Sequence, residues 1–321
     1  MTTSYEAVQP RRTLTAVSAD GTRLNVEEYG RADAPTIVLS HGWTCSTLLW
    51  APIVRALASD YRLIAYDQRG HGLSGSSAVR AGYATSMLAD DLDAVLETVL
   101  HDGERALLVG HSMGGMTIMA AADRLSVRER TAAVLLVSTG GSRLVRTTQV
   151  LPPRLSARWL RDVLHRQILV SRLPLGPVTP VAKAALKYGV MGPGSSPEQV
   201  ASCARMVHAC RPRQRAEWGK VLAALDLDAK VPQLSAPTAI VVGTVDKLTP
   251  KVHTYRIAAA LPDCVGVTEL PGRGHMTPLE DATAVEAAIR TMASDHLTGE
   301  GTAAEGMADG DVAAAVQEKS A

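Results

Sequence analysis

The chain has 321 residues, of which 46% are hydrophobic and 20% are charged, and its formal net charge is +1. A chain of this length and composition can bury a sizeable core, and its length allows one or two domains. Because the charge is nearly balanced, it gives no electrostatic preference for nucleic acid, and we expect no such partner. No stretch approaches the roughly 20 apolar residues of a membrane span, so no transmembrane segment is predicted.

The cysteines and the N-terminus give expectations about location and metals. The four cysteines are Cys45, Cys203, Cys210 and Cys264. None belongs to a C-x-x-C pair, and their spacing fits no metal site, so no metal is expected. Residues 1–12 lack the apolar stretch of a signal peptide. We therefore expect reduced thiols and a cytoplasmic location.

In chain order, the first predicted element is a hairpin, followed by alternating strands and helices. Thr13–Val17 and Thr22–Tyr29 read as its two strands, joined at Asp20-Gly21. The strands predicted next are Thr36–Ser40, Arg62–Asp67, Ala106–Gly110 and Ala133–Ser138, and the helices lie near Trp50–Ser59, Ser86–Leu100 and Gly114–Leu125. Such alternation indicates a parallel sheet with helices on both faces.

A G-x-S-x-G pentapeptide, Gly110 to Gly114, lies between a predicted strand and a predicted helix. This order is the signature of a nucleophile elbow, a strained turn that pushes the serine hydroxyl clear of the sheet. Glycines are needed on both sides because side chains there would clash with the neighbouring strand and helix. Ser112 is the predicted nucleophile, and the alternative is a serine in the glycine-rich turn of a protein that has lost its activity.

A serine hydroxyl becomes nucleophilic only when a base takes its proton, and the base needs a carboxylate to orient it. After a nucleophile elbow these groups follow in the order acid, then histidine. Asp246 lies on the loop just past the β-branched run Thr238–Gly243, in the sequence Thr244-Val245-Asp246, and is the predicted acid. Asp263 is a weaker alternative because it precedes the last predicted strand, Gly266–Pro271.

His275 is the predicted base. It lies on a glycine-containing loop after the last predicted strand. A helix is predicted to follow at once, with Thr277 as N-cap, Pro278 at the first helical position and Glu280 closing a capping box. A loop held between a strand and a capped helix is a suitable support for a general base.

An acyl-transfer site also needs two N–H groups that stabilise an oxyanion. One is predicted to be the N–H of Met113, the residue after the nucleophile. The other is predicted to be that of Trp43, in the loop after the strand Thr36–Ser40.

These motifs resemble those of the α/β-hydrolases, in the cofactor-free group of serine esterases, lipases and haloperoxidase-like enzymes. The matching blocks follow in family order over about residues 13–295, and they are His41-Gly42-Trp43, Tyr66 to Ser74, Gly110 to Gly115, Gly243 to Asp246 and Gly274-His275. The resemblance implies an eight-stranded, mostly parallel sheet with helices on both faces and a helical cap insertion. It also implies that Asp67, Arg69 and His71 brace the neighbourhood of the elbow.

The strand signal stops near Gly141 and resumes at Pro237. We therefore predict a catalytic domain at 1–140 and 237–295, with a helical cap at 141–236. Residues 296–321 are rich in alanine, glycine and acidic residues and have no apolar period, so they are predicted to form a disordered tail.

The predicted cap contains a basic amphipathic helix whose apolar stripe includes Leu155, Trp159, Val163 and the pair 164/168. The stripe could be a lid that touches a lipid surface or admits an acyl chain. The favoured interpretation is that it packs on the catalytic domain, as such stripes usually do. Trp159 and His111 are the candidate substrate-binding residues, although a packing role for His111 is an equal alternative.

The resemblance and the motifs together predict a serine hydrolase that cleaves a carboxylic ester of a small or lipidic substrate, without a cofactor. Three alternatives stay open: a cofactor-free perhydrolase, a hydrolase of carbon–carbon bonds, and a non-catalytic ligand-binding member of the fold. Transient contact with a lipid surface is a further expectation, and the sequence gives no oligomeric state.

Overall fold

The computed structural model describes residues 5–77, 82–151 and 158–297. The strands in these ranges are β1 (Arg12–Val17), β2 (Arg23–Gly30), β3 (Thr36–Ser40), β4 (Arg62–Tyr66), β5 (Ala106–His111), β6 (Thr131–Val137), β7 (Thr238–Gly243) and β8 (Cys264–Leu270). The α-helices are α1 (Ala51–Leu57), α2 (Thr85–Val99), α3 (Met113–Ala120), α4 (Leu125–Arg130), α5 (Leu144–Thr147), α6 (Arg158–Val170), α7 (Pro180–Val190), α8 (Pro197–Ala209), α9 (Pro212–Ala223), α10 (Lys251–Ala260), α11 (Thr277–Glu280) and α12 (Ala282–His296).

The strands form one eight-stranded sheet in the order β1-β2-β4-β3-β5-β6-β7-β8. The β1/β2 and β2/β4 pairs are antiparallel, and every pair from β4 to β8 is parallel. The predicted hairpin and the predicted mostly parallel sheet are confirmed. The chain leaves β3 toward β4 on one side and later returns to β5 on the other. Ligands of open α/β sheets bind at the carboxyl ends of strands at such a switch point.

The core lies on both faces of the sheet. Side chains alternate along β5, so Leu108 joins the cluster that contains Leu92 of α2, whereas Leu107 joins the cluster that contains Ile53 of α1 and Ile289 of α12. All five side chains are buried. Helices therefore cover both faces, as predicted, and the strands β3 to β6 are buried along their whole length because they have no solvent-facing side.

Between β6 and β7 the described residues form the helices α5 to α9 and no strand. This insertion is the segment that the sequence predicts to be a cap. Its helix α9 is tied to loops at the carboxyl edge of the sheet. The indole N–H of Trp43 donates to the Arg215 carbonyl at 3.0 Å, and the indole N–H of Trp218 donates to the Arg69 carbonyl at 2.9 Å.

The apolar stripe of α6 does not pack on the sheet, so the favoured interpretation of it was wrong. Trp159 is 67% exposed and Ile168 is 54% exposed. The C-terminal end of α6 instead packs against α9. The contact is close, since a Cβ on Gly219 of α9 would overlap the carbonyl of Leu169 of α6. This contact turns the stripe outward. Leu155 and residues 298–321 of the predicted tail lie outside the described residues. The prediction that the tail begins at 296 was wrong at its first residue, because His296 is the last residue of α12.

Within residues 5–77, 82–151 and 158–297, no helix has the length and apolarity needed to cross a membrane. The same ranges contain no group of three or more histidine, cysteine, aspartate or glutamate side chains placed to hold a metal ion. The four cysteines are free thiols.

Candidate active site

Ser112 lies between β5 and α3 in a conformation that non-glycine residues rarely adopt, with φ at 53° and ψ at −115°. Two hydrogen bonds hold this backbone. The Ser112 N–H donates to the Val137 carbonyl at 2.9 Å, and the Ser112 carbonyl accepts from Thr139 Oγ1 at 2.7 Å. Strain of this kind persists only where surrounding contacts fix the chain, and it occurs most often at functional sites.

The flanking glycines are required for the reason that the sequence indicated. A Cβ on Gly110 would lie 2.6 Å from the backbone of Gly114. A Cβ on Gly114 would overlap the carbonyl oxygen of Ser40 at the end of β3. In this turn the backbones of β5, α3 and β3 are in direct contact, and there is no room for a side chain at Gly110 or Gly114.

The structure brings Ser112, His275 and Asp246 together. His275 Nε2 lies 2.9 Å from the Ser112 hydroxyl, which can donate to it, and His275 Nδ1–H donates to Asp246 Oδ2 at 2.8 Å. All three side chains are buried. The arrangement can move a proton from the hydroxyl to the imidazole while the carboxylate holds the ring.

Asp246 is saturated with hydrogen-bond donors. Its Oδ1 accepts from the N–H groups of Leu248 and Thr249 at 2.8 and 2.9 Å, and Thr249 Oγ1 donates to its Oδ2 at 2.8 Å. Burial raises the pKa of Asp246, but the nearby His275 and the hydrogen bonds from His275 and Thr249 outweigh it and hold the pKa below its ordinary value. The group is therefore a carboxylate at neutral pH and can stabilise an imidazolium.

The loop that carries His275 is fixed by Glu280, whose carboxylate is buried. It accepts from the N–H groups of Gly274 at 2.9 Å and Met276 at 3.0 Å, on either side of the histidine. It also accepts from the Gly192 N–H at 2.6 Å, which ties the loop to the insertion. From its sequence position alone Glu280 is expected only to close a local helix cap, because its bond to the Gly192 N–H depends on the fold.

The predicted capping box at Thr277 was wrong. The N-cap position is Met276, and Thr277 is the first residue of α11. The Thr277 hydroxyl is not available for capping because it pairs with Ser138 Oγ at 2.9 Å, beyond the end of β6. Glu280 does reach back to the N-cap N–H, but that N–H belongs to Met276.

Met113, the first predicted oxyanion donor, follows Ser112 directly in the chain, and the loop that carries Trp43, the second, approaches the serine, since a Cβ on Gly42 would lie 3.0 Å from Ser112 Cβ. Met113 is the first residue of α3, where N–H groups have no acceptor within the helix. Trp43 lies in the loop after β3, and the two amides that follow it have acceptors: Thr44 N–H donates to His71 Nε2 at 3.2 Å, and Cys45 N–H donates to the Gly42 carbonyl at 3.1 Å. His71 thereby braces the loop that carries Trp43, and the resemblance had implied that His71 braces the neighbourhood of the elbow.

His111 packs against His275. Its Nε2–H donates to the His275 carbonyl at 2.8 Å, and the two rings lie 5.0 Å apart. Gly42 is close to it, since a Cβ there would lie 2.8 Å from His111 Nδ1. Burial, with a smaller effect of His275, lowers the pKa of His111 to about 3, so the ring is neutral. These contacts give His111 a packing function at the site.

The structure does not bring Trp159 to this cluster. Its side chain is two-thirds exposed on α6, whereas the Ser112 side chain is buried. Three residues around the site were missed by sequence reasoning: Thr139, which donates to the Ser112 carbonyl, Thr249, which donates to Asp246, and Ser138, which pairs with Thr277 of α11. Ser138 and Thr139 follow the end of β6 directly, and this position is the sequence signal that could have suggested them, whereas Thr249 lies six residues beyond β7 and carries no such signal.

With this geometry established, comparison with known proteins identifies the class. The chain matches the alpha/beta hydrolase fold over residues 35–282 and belongs to that family. It is 30% identical over 263 residues to a protein of Variovorax paradoxus (strain S110) that is provisionally named the carbamate hydrolase RutD, covering 81% of this chain and 91% of that protein.

Two further similarities concern esterases. The bifunctional esterase/perhydrolase DCH of Acinetobacter calcoaceticus is 26% identical over 275 residues, which is 83% of this chain and 94% of that protein. The crystal structure of the esterase RhEst1 from Rhodococcus sp. ECU1013 superposes with a TM-score of 0.67 at 25% identity, covering 88% of this chain and 99% of the esterase. The protein is thus a hydrolase-family member with esterases among its relatives.

Proposed function

We propose that the protein hydrolyses carboxylic esters through an acyl-enzyme on Ser112. The observation that supports this most directly is the unbroken chain of hydrogen-bond distances from Asp246 through His275 to Ser112, 2.8 and 2.9 Å. The strained elbow that holds the serine and the family membership point the same way.

In the proposed mechanism, Ser112 attacks the ester carbonyl while His275 takes the hydroxyl proton. Asp246 holds the imidazole in the tautomer that accepts this proton and stabilises the resulting imidazolium. The N–H groups of Trp43 and Met113 stabilise the tetrahedral oxyanion, each contributing on the order of 3 kcal/mol to the lowering of the barrier. His275 then protonates the leaving alcohol, and water repeats the sequence on the acyl-enzyme.

The first test is a ladder of p-nitrophenyl esters from acetate to palmitate with wild type and Ser112→Ala. We expect turnover at some chain lengths and a fall of several orders of magnitude in the variant, because the nucleophile is absent. Ser126→Ala on α4 is the matched control and should keep full activity. Retained turnover by Ser112→Ala would contradict the mechanism.

Covalent labelling separates an enzyme from an idle binding protein of the same fold. A fluorophosphonate should add to Ser112 and to no other serine, as read by peptide mass spectrometry. If the protein resists the label and hydrolyses no ester, the non-catalytic alternative is favoured. A phenyl carbamate belongs in the same substrate panel, because the Variovorax relative is named for carbamate hydrolysis.

Perhydrolysis is the second candidate, and the observation that favours it is the similarity to an esterase/perhydrolase. The same acyl-enzyme would be attacked by hydrogen peroxide instead of water, which gives a peracid. Adding peroxide to an acetate-ester assay should then produce peracetic acid at the expense of acetate. Unchanged acetate release with no peracid would remove this candidate.

A further inference from the structure

A stretch of the insertion, Trp159 to Tyr188, exposes an unusual number of large apolar side chains. We call it the apolar stretch. The most exposed members are Trp159 (67%), Leu173 (74%) and Val181 (78%), together with Val163, Leu164, Ile168, Leu175, Val178 and Tyr188. Single exposed apolar residues are normal on a protein surface, but a concentration of this kind marks an interaction site.

Helix α7 presents its apolar stripe to the outside. Val181, Ala184, Ala185 and Tyr188 follow the i, i+3, i+4, i+7 spacing of one helix face, and all four are exposed. A helix at the surface of a globular protein ordinarily turns such a face inward. The reversal indicates that this face of α7 has a partner outside the part of the chain that the structure describes.

Polar bonds on the inner side hold the loop between α6 and α7 in this orientation. The Arg215 guanidinium donates to the carbonyls of Ser171 and Leu173, and His208 Nδ1–H donates to the Gly176 carbonyl at 2.9 Å. Because the backbone of the loop is bonded to α8 and α9, the side chains of Leu173 and Leu175 are left outside.

Charge identifies the partner. Residues 159–188 contain five basic side chains and one acidic side chain, Asp162. Arg172 is paired with Glu217 of α9, and Lys187 Nζ donates to the Ser195 carbonyl at 2.8 Å, which leaves Arg161, Arg166 and Lys183 to give the stretch its positive charge. Apolar and aromatic side chains mixed with lysine and arginine are typical of helices that lie on anionic lipid surfaces. A second copy of this chain fits less well, since two basic surfaces would repel each other.

We propose that the apolar stretch docks the protein on an anionic lipid surface. Helix α7 connects this surface to the catalytic loops, because the Val190 carbonyl accepts the N–H of His275 at 2.9 Å and the Tyr188 carbonyl accepts from Lys247 at 2.6 Å. Resting on the proposed function, the inference assigns the substrate class: an ester that is dissolved in or attached to lipid and reaches Ser112 from the docked face.

The test is binding of full-length Ser112→Ala protein to vesicles of phosphatidylcholine alone and with 30% phosphatidylglycerol, measured by flotation. We expect binding to the anionic vesicles only. The pair Leu173→Ser and Val181→Ser should weaken it by roughly tenfold for each side chain, because apolar burial is lost. The pair Arg166→Gln and Lys183→Gln should weaken it about fivefold for each charge. The matched control, Leu125→Ser with Arg128→Gln on α4, should bind like the parent.

Three outcomes would overturn the proposal. They are no flotation with anionic vesicles, equal flotation with anionic and neutral vesicles, and equal binding by the Leu173→Ser, Val181→Ser variant and the α4 control variant. If sedimentation shows a dimer, and Leu173→Ser with Val181→Ser abolishes it, the surface binds a second copy of the chain instead. Unchanged thermal midpoints show that the variants fold. Because Ser112→Ala is used for binding and wild-type turnover of p-nitrophenyl acetate is measured without vesicles, failure of docking and failure of the proposed function give separate results.

Discussion

The carboxylate of Glu280 accepts the N–H of Gly274 at 2.9 Å, one residue before His275. The same carboxylate accepts from Met276 on the other side of the histidine and from Gly192 in the insertion. The general base of the proposed mechanism is therefore positioned by a second buried carboxylate that does not contact the nucleophile. This relationship makes Glu280 a positioning residue whose effect can be separated from that of Asp246.

Replacing Glu280 with glutamine should lower kcat about tenfold and leave KM nearly unchanged. One side-chain oxygen becomes an NH2 group that cannot accept from a backbone N–H, so the loop loses part of its support and His275 is less well aligned. The measurement is steady-state kinetics on the best p-nitrophenyl ester. Glu286→Gln, at an ion pair on α12, is the control. A rise in KM at constant kcat would show a role in substrate binding instead.

Replacing Asp246 with asparagine should lower kcat by about 10⁴-fold, because an amide does not stabilise the imidazolium and can select the wrong tautomer. The control is Asp263→Asn, the alternative acid in the sequence, which should keep wild-type kinetics. Comparable losses in both variants would contradict the assignment of Asp246.

The sequence predicted the sheet well because its central strands are continuous apolar runs between glycine-rich turns. The predicted strand Thr36–Ser40 agrees with β3 at both ends, and Ala106–Gly110 agrees with β5 to within one residue. Ser112, Asp246 and His275 were also identifiable, since each follows a strand end and such ends meet at one edge of a parallel sheet.

Two features could not be read from the sequence because they depend on contacts between distant segments. Glu280 has the spacing of a local cap, and only its bonds to residues 192 and 274 reveal its role. Periodicity defined the stripe around Trp159 but cannot tell which way a helix faces. The close packing of α6 on Gly219 of α9 determines that direction.

Replacing Gly114 with alanine should destabilise the fold by about 3 kcal/mol or more, because the new Cβ overlaps the Ser40 carbonyl and the backbone must move. Urea unfolding measures the change. Gly266→Ala in β8 is the control, since a Cβ there meets no atom within 4 Å. Equal unfolding midpoints for the two variants would show that the backbone of Gly114 is not in direct contact with the Ser40 carbonyl.

Buried histidines should make the protein less stable in mild acid. Burial is the main cause that lowers the pKa of His41 and His253 to about 4 and of His71 and His111 to about 3. In the unfolded chain a histidine has a pKa of about 6.5. Between about pH 4 and 6.5 the unfolded state therefore binds more protons than the folded state, and the free energy of unfolding falls as the pH is lowered.

His253→Gln isolates one of these contributions. His253 lies near Asp246, Asp228 and Arg256, and its Nε2 pairs with Thr147 Oγ1 at 2.6 Å, a contact that glutamine can keep. From pH 7.5 to 5.5, urea unfolding should show a loss of stability that is about 1 kcal/mol smaller in this variant than in wild type. An exposed histidine replaced in the same way, His101→Gln, should leave the wild-type loss unchanged. Parallel losses in wild type and His253→Gln would mean that His253 takes up its proton in the folded protein, contrary to its burial on α10 against Gly140 in the loop after β6.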